Sequence, residues 1–135
     1  MKNGTRSGAV LIVEDAETCA STLEIIFSSI PGLKILVADT AERAWELLET
    51  QPAEIRVLVT DLHMPGMDGF ELIERVRANQ LYAGLPIVVI TGSIDPHISD
   101  RMRQRGVNAV FAKPYSPAVV REKLEQLLGD EMQLE

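Results

Sequence analysis

Five short apolar runs, at residues 9–13, 33–38, 55–60, 86–91 and 107–112, constrain this chain more than any other feature. They are rich in Val, Ile and Leu and show little polar alternation. A strand with one wet face alternates apolar and polar side chains, whereas a strand covered on both faces reads as a continuous apolar run. Segments with helical spacing lie between them. Leu23, Ile26, Phe27 and Ile30 fall at i, i+3, i+4 and i+7, and Ala41, Ala44, Trp45 and Leu48 repeat that spacing. Phe70, Ile73 and Val76, with Leu72 beside them, form a third stripe, and Val120, Leu124, Leu127 and Leu128 form the last. In the segment 95–105 only Ile98 and Met102 repeat, and Arg101, Arg103 and Arg105 crowd the rest. That segment is expected to be the most exposed and mobile helix. Strand–helix alternation within 135 residues predicts one doubly wound α/β domain, a parallel sheet with helices on both faces.

Local signals mark the boundaries. Ser116-Pro117 and Asp95-Pro96 each place a side-chain acceptor before a proline at the first helical position. Asp39, followed by Thr40 and Glu42, reads as a helix cap, and Asp68 as the cap of the helix after it. Gly66 and Gly69 are assigned to turn geometry. Residues 1–8 read as a flexible lead, 9–129 as the domain and 130–135 as a tail.

Composition narrows the function classes. A net charge of −7 and a pI near 4.8 argue against gripping nucleic acid, which needs clustered Lys and Arg. Cys19 is the single cysteine, so there is no internal disulfide framework and no cysteine metal cluster; a reducing, cytoplasmic compartment is expected. No apolar run approaches the roughly 20 residues of a membrane-spanning helix, so no membrane association is expected.

In a parallel sheet the C-terminal strand ends share one edge, where ligands bind. Glu14 and Asp15 follow the first run, Asp61 the third, Thr91 ends the fourth and Lys113 follows the fifth. Carboxylates crowded at one edge repel unless a cation joins them. All-oxygen donors suit Mg²⁺, which keeps waters while binding one or two carboxylates and phosphate oxygens. An anionic Asp61 could then attack phosphorus, with Lys113 as a point charge and Thr91 as a hydroxyl donor for phosphoryl oxygens.

Four pieces carry a resemblance: Leu11-Ile-Val-Glu-Asp15, Asp61-Leu-His-Met-Pro-Gly-Met-Asp-Gly69, Ile90-Thr-Gly-Ser93 and Ala112-Lys-Pro-Tyr115. Each is weak alone; in this order, each at a strand end, they resemble the receiver domain of two-component response regulators over residues 9–129. The resemblance implies a flavodoxin-like, five-stranded sheet of order 2-1-3-4-5. Asp61 matches the phosphoacceptor, Asp15 the direct metal ligand, Glu14 the acid that acts through water, and the His63 backbone carbonyl completes the Mg²⁺ shell. Thr91 and Lys113 match the switch hydroxyl and the lysine, and the Lys113–Pro114 bond is expected to be cis. The implied phosphodonor is a histidine kinase or a histidine phosphotransfer protein. The output is a binding partner or a joined output domain, because none is visible in the sequence.

The chain departs from the family pattern at Val110, where receivers often carry an aromatic ring that flips with the switch hydroxyl. His63 is read as a solvated loop histidine offering only its carbonyl, His97 as helix surface, Trp45 as core and Tyr115 as ordinary packing. The arginines at 101, 103 and 105 could be a partner face or a solvated charged face. Three other functions compete. A degenerate receiver acting only as a binding module lacks support from the complete acid, hydroxyl and lysine set. A haloacid-dehalogenase-type phosphatase needs an acid two residues past the nucleophile, where His63 stands. A flavodoxin needs a phosphate-cradling loop where Glu14 and Asp15 stand.

Overall fold

The computed structural model describes residues 8–50, 54–92 and 95–133, with side chains described as far as residue 129. Elements alternate throughout: β1 Gly8–Val13, α1 Glu17–Ser28, β2 Leu33–Ala38, α2 Ala41–Thr50 and β3 Ile55–Thr60, then α3 Gly69–Ala78, β4 Ile87–Thr91, α4 Pro96–Gln104, β5 Ala109–Ala112 and α5 Pro117–Gln133. All strand pairs are parallel and the order is β2-β1-β3-β4-β5, as expected.

Period-two alternation sends neighbouring strand residues to opposite faces. Val10 and Ile12 of β1 point to a core closed by Leu23 and Phe27 of α1 and Leu124 of α5. Leu11 and Val13 point the other way, to a core closed by Leu48 of α2, Ile73 of α3 and Met102 of α4. Both faces are therefore apolar, which is why the runs lack polar alternation. Each fully buried Leu, Ile or Phe contributes on the order of 1.5–3 kcal/mol.

Helix starts follow local chemistry. Asp68 accepts from the Glu71 N–H at 3.0 Å and Asp95 from the Ile98 N–H at 2.8 Å, with Pro96 opening α4. Ser116 accepts from the Val119 N–H at 3.4 Å, ahead of Pro117. At α2 the expected cap is displaced by one residue: Thr40 Oγ1, not Asp39, accepts from the Arg43 N–H at 3.0 Å. Two helix faces also differ in detail. Leu47 is buried on α2 where Trp45 is only half-buried against the core, and Phe70 is half-buried while Leu72, Ile73 and Val76 form the buried face of α3. α4 buries only Ile98 and Met102, the exposure its composition foretold. α5 runs through Gly129 to Gln133, so the backbone stays helical in part of the stretch read as a tail. A glycine inside a helix costs only about 1 kcal/mol, too little to end one alone. The lead at residues 1–7 lies outside the described residues, and Gly8 already belongs to β1. Among the described residues no helix is long and apolar enough to cross a membrane.

Candidate functional site

Sheet register assembles the site. Val13 pairs with Thr60, Thr60 with Val89, and Thr91 with Ala112. The residues that leave these strands, Glu14, Asp61 and Lys113, therefore emerge side by side. Backbone bonds carry the ladder past the last pairs: the Asp61 N–H donates to the Val13 carbonyl at 3.2 Å, and the Lys113 N–H to the Thr91 carbonyl at 2.9 Å.

Lys113 is the hub. Its ammonium donates to Asp61 Oδ2 at 2.9 Å and to Glu14 Oε1 at 3.0 Å. Burial works to lower the Lys113 pKa, but the bonds to Asp61 and Glu14, with their Coulombic attraction, outweigh it and hold it above the ordinary lysine value. The Lys113–Pro114 bond is cis, as expected. Glu14 is 3% exposed, and its second oxygen accepts from the Ala16 N–H at 3.1 Å, which ties it to the start of α1.

Asp61 is 8% exposed. Its Oδ1 accepts from the Leu62 N–H at 2.6 Å and the His63 N–H at 3.2 Å, so three donors fix the plane of the carboxylate. The loop after it is anchored by buried Leu62, Met64 and Met67. Glu42, from the first turn of α2, accepts from the Met67 N–H at 3.0 Å. That bond, with its own backbone N–H and the charge of Arg75, holds the Glu42 carboxyl below the usual carboxylate range against desolvation. Gly66, beside it, has φ +75°, a left-handed turn conformation that suits glycine.

The other expected site residues divide by exposure. Asp15 is exposed next to Glu14. Thr91 is fully buried at the end of β4. The His63 ring is exposed but not idle: it meets Phe70 edge-on, with centroids 6.0 Å apart. His97 is exposed, Tyr115 packs half-buried against the α1/α5 core, and Val110 packs against the α2–α4 core. A cleft of about 300 Å³ opens beside Lys113, lined by Thr18, Cys19, Thr22, Pro114 and Tyr115, with Cys19 Sγ 3.9 Å from the ammonium.

The donor set limits which metal the site can hold. Among the described residues no three or more His, Cys, Asp or Glu side chains converge into a ready cage. The carboxylates Glu14 and Asp61 are bridged by Lys113, and Asp15 stands exposed beside them. Such a set is unsuited to Zn²⁺ or Ca²⁺, which draw most of their ligands from protein. It fits Mg²⁺, which keeps its waters and needs one or two carboxylates.

Sequence reading missed two features of the surroundings. Glu42 reaches the loop after Asp61 across 25 residues, and Phe70 meets both the His63 ring and the Arg101 guanidinium. Neither leaves a local signal in the chain.

Comparison with known proteins gives one answer. The family model for the response regulator receiver domain matches residues 10–125. A chemotaxis protein CheY homolog of Campylobacter jejuni is 34% identical over 120 residues, covering 89% of this chain and 92% of that protein. Chemotaxis protein CheY1 of Helicobacter pylori is also 34% identical over 120 residues, covering 89% and 96%. Among solved structures, a response regulator receiver protein from Pseudomonas putida superposes with a TM-score of 0.81 at 29% identity, covering 89% of this chain and 97% of that one. Vibrio cholerae CheY4 superposes with a TM-score of 0.78 at 25% identity, covering 90% and 98%.

Proposed function

The chain belongs to the response regulator receiver family, and from that premise we propose that Asp61 is its phosphoacceptor in a two-component phosphorelay. The observation that carries the reading is the bridge of Lys113 to both Asp61 and Glu14, at 2.9 and 3.0 Å. A carboxylate held by three donors and still reachable from solvent is positioned as a nucleophile without being sealed from its donor.

The chemistry is displacement at phosphorus. Asp61 attacks the phosphoryl group of a phosphohistidine on a kinase or phosphotransfer protein. The P–O bond forms as the P–N bond breaks, and the departing imidazole keeps the electron pair and takes up a proton. Asp15, Asp61 and the His63 carbonyl would hold Mg²⁺, with Glu14 acting through water. Bound there, the ion would offset the charge of the phosphoryl oxygens against the acidic site. Lys113 supplies a fixed cation for a phosphoryl oxygen, and Thr91 a hydroxyl from the neighbouring strand end. Phosphorylation puts roughly −1.5 to −2 charges where Asp61 carried one, and the resulting change of pairing is the switch. The chain acts as a signalling switch in the cytoplasm and catalyses only its own phosphotransfer and dephosphorylation. A phosphatase acid is missing two residues past Asp61, where the His63 ring turns onto Phe70.

The test is incubation with Mg²⁺ and a small acyl phosphate, followed by intact mass measurement. We expect a gain of one phosphoryl group in the wild type and none in Asp61→Asn or after chelation of Mg²⁺. No gain in the wild type would assign the chain to phosphorylation-independent binding, and steady turnover of phosphomonoesters would make it an enzyme.

A further inference from the structure

His63 links Asp61 to a contact on the outside of the domain. Its backbone N–H donates to Asp61 Oδ1 at 3.2 Å, while its ring meets Phe70 with centroids 6.0 Å apart and planes at 69°. Phe70 is the second residue of α3, and the guanidinium of Arg101 on α4 lies over its ring, 4.3 Å from the centroid. Two more α3 residues reach the end of α4. Glu74 pairs with Arg105 at 2.5 Å, and Arg77 donates to the carbonyls of Arg105 at 2.6 Å and Gly106 at 3.0 Å. Residues 70, 74 and 77 succeed one another by about a helical turn, so α3 presents a single row to α4.

The three contacts are unequal. Those of Glu74 and Arg77 are directional hydrogen bonds, whereas Arg101 is held by attraction to an aromatic face. That attraction operates within about 6 Å of the ring centroid and depends on the cation staying over the face. It is also the contact that His63 joins to the Asp61 carboxylate.

We propose that His63, Phe70 and Arg101 form a relay that reports the state of Asp61 to α4; it rests on the reading of Asp61 as phosphoacceptor. Attaching a phosphoryl group changes the acceptor that the His63 N–H meets, and the His63 ring moves with its backbone. The edge contact passes that shift to Phe70, and a tilted Phe70 ring weakens its hold on Arg101. The two states are Arg101 stacked and Arg101 released, and phosphorylation shifts their populations. This route runs through neither Val110 nor residues 93–94, which lie outside the described residues.

Wild type, Phe70→Leu and Arg101→Gln are compared by two readouts. Intact mass after treatment with a small acyl phosphate reports phosphoryl uptake. Amide hydrogen exchange across residues 96–105, with and without Mg²⁺ and beryllium fluoride as a phosphoryl mimic, reports α4. Arg101 is exposed, so its variant retains the fold even if Phe70→Leu loosens α3. Both variants should take up phosphoryl like the wild type, while the mimic-induced change in α4 exchange shrinks about two- to fivefold, the size of an exposed cation–π contact. Normal uptake with an undiminished α4 response in either variant, or no α4 response in the wild type, overturns the relay alone. A wild type that takes up no phosphoryl overturns the relay together with the phosphoacceptor reading.

Discussion

At Gly69 one more carbon has nowhere to go. A Cβ built there falls 2.0 Å from the Asp61 carbonyl oxygen and 2.8 Å from the Leu62 Cα, both backbone atoms that cannot swing aside. The glycine N–H also donates to the Leu62 carbonyl at 3.0 Å, which draws the start of α3 onto the end of β3. Gly69→Ala is therefore expected to destabilise the domain by about 3 kcal/mol and to slow phosphoryl uptake by displacing Asp61. Urea unfolding and mass-resolved uptake check this, and wild-type behaviour in both would refute it. Sequence reading placed Gly69 in a turn, as it did Gly66. Only Gly66 has the left-handed φ, +75°, that this role requires. The constraint on Gly69 is a tertiary approach, and residue identity alone does not distinguish the two.

At the scale of elements, Arg77 ties three segments together. From α3 its guanidinium donates to the carbonyls of Ala83 and Leu85, at 3.1 and 2.8 Å, ahead of β4, and to those of Arg105 and Gly106 ahead of β5. Burial pushes its pKa down, but carbonyl oxygens surround the charge. Replacing it by Met keeps much of the apolar stem and strands the acceptors, so Arg77→Met should cost about 2–3 kcal/mol. Thermal and denaturant unfolding measure that loss, and an unchanged midpoint would contradict it. Nothing in the sequence announces this contact, because its partners lie up to 29 residues away and are backbone atoms. The elements themselves were legible for the opposite reason. Strand composition follows from burial on both faces, and capping by Asp68 and Asp95 is a bond across three residues. An error fell where two neighbours could do the same job, Thr40 beside Asp39, and Leu47 escaped notice on α2 although Trp45 does pack against the core as expected. The arginines at 101, 103 and 105 had two readings, partner face or solvated face. In the structure Arg101 lies on Phe70, Arg103 pairs with Asp100 and Arg105 pairs with Glu74, so each has a partner within the domain.

Over the whole molecule the two edges of the sheet are built for different work. The C-terminal edge gathers Glu14, Asp61 and Lys113, and this was readable because a parallel sheet brings its strand ends together whatever the loops contain. What the sequence could not supply was the course of the signal beyond that edge, since it runs through side-chain faces rather than through strand order. The opposite edge holds the backbone clasp of Arg77 and, beside it, the ion pair of Glu74 with Arg105. α4 is thus a rod fastened at its C-terminal end by directional bonds, and nearer Pro96 held by the burial of Ile98 and Met102 and by the ring contact of Arg101. A rod fastened at one end swings rather than slides. Its displacement on phosphorylation should grow from Arg105 toward Pro96, and amide exchange resolved along the helix would show that gradient. A uniform change from end to end would mean that α4 moves as a body and that the fastening gives way. With the pivot intact, a small turn of the ring at Phe70 is magnified toward Pro96, and that is where a partner would feel it.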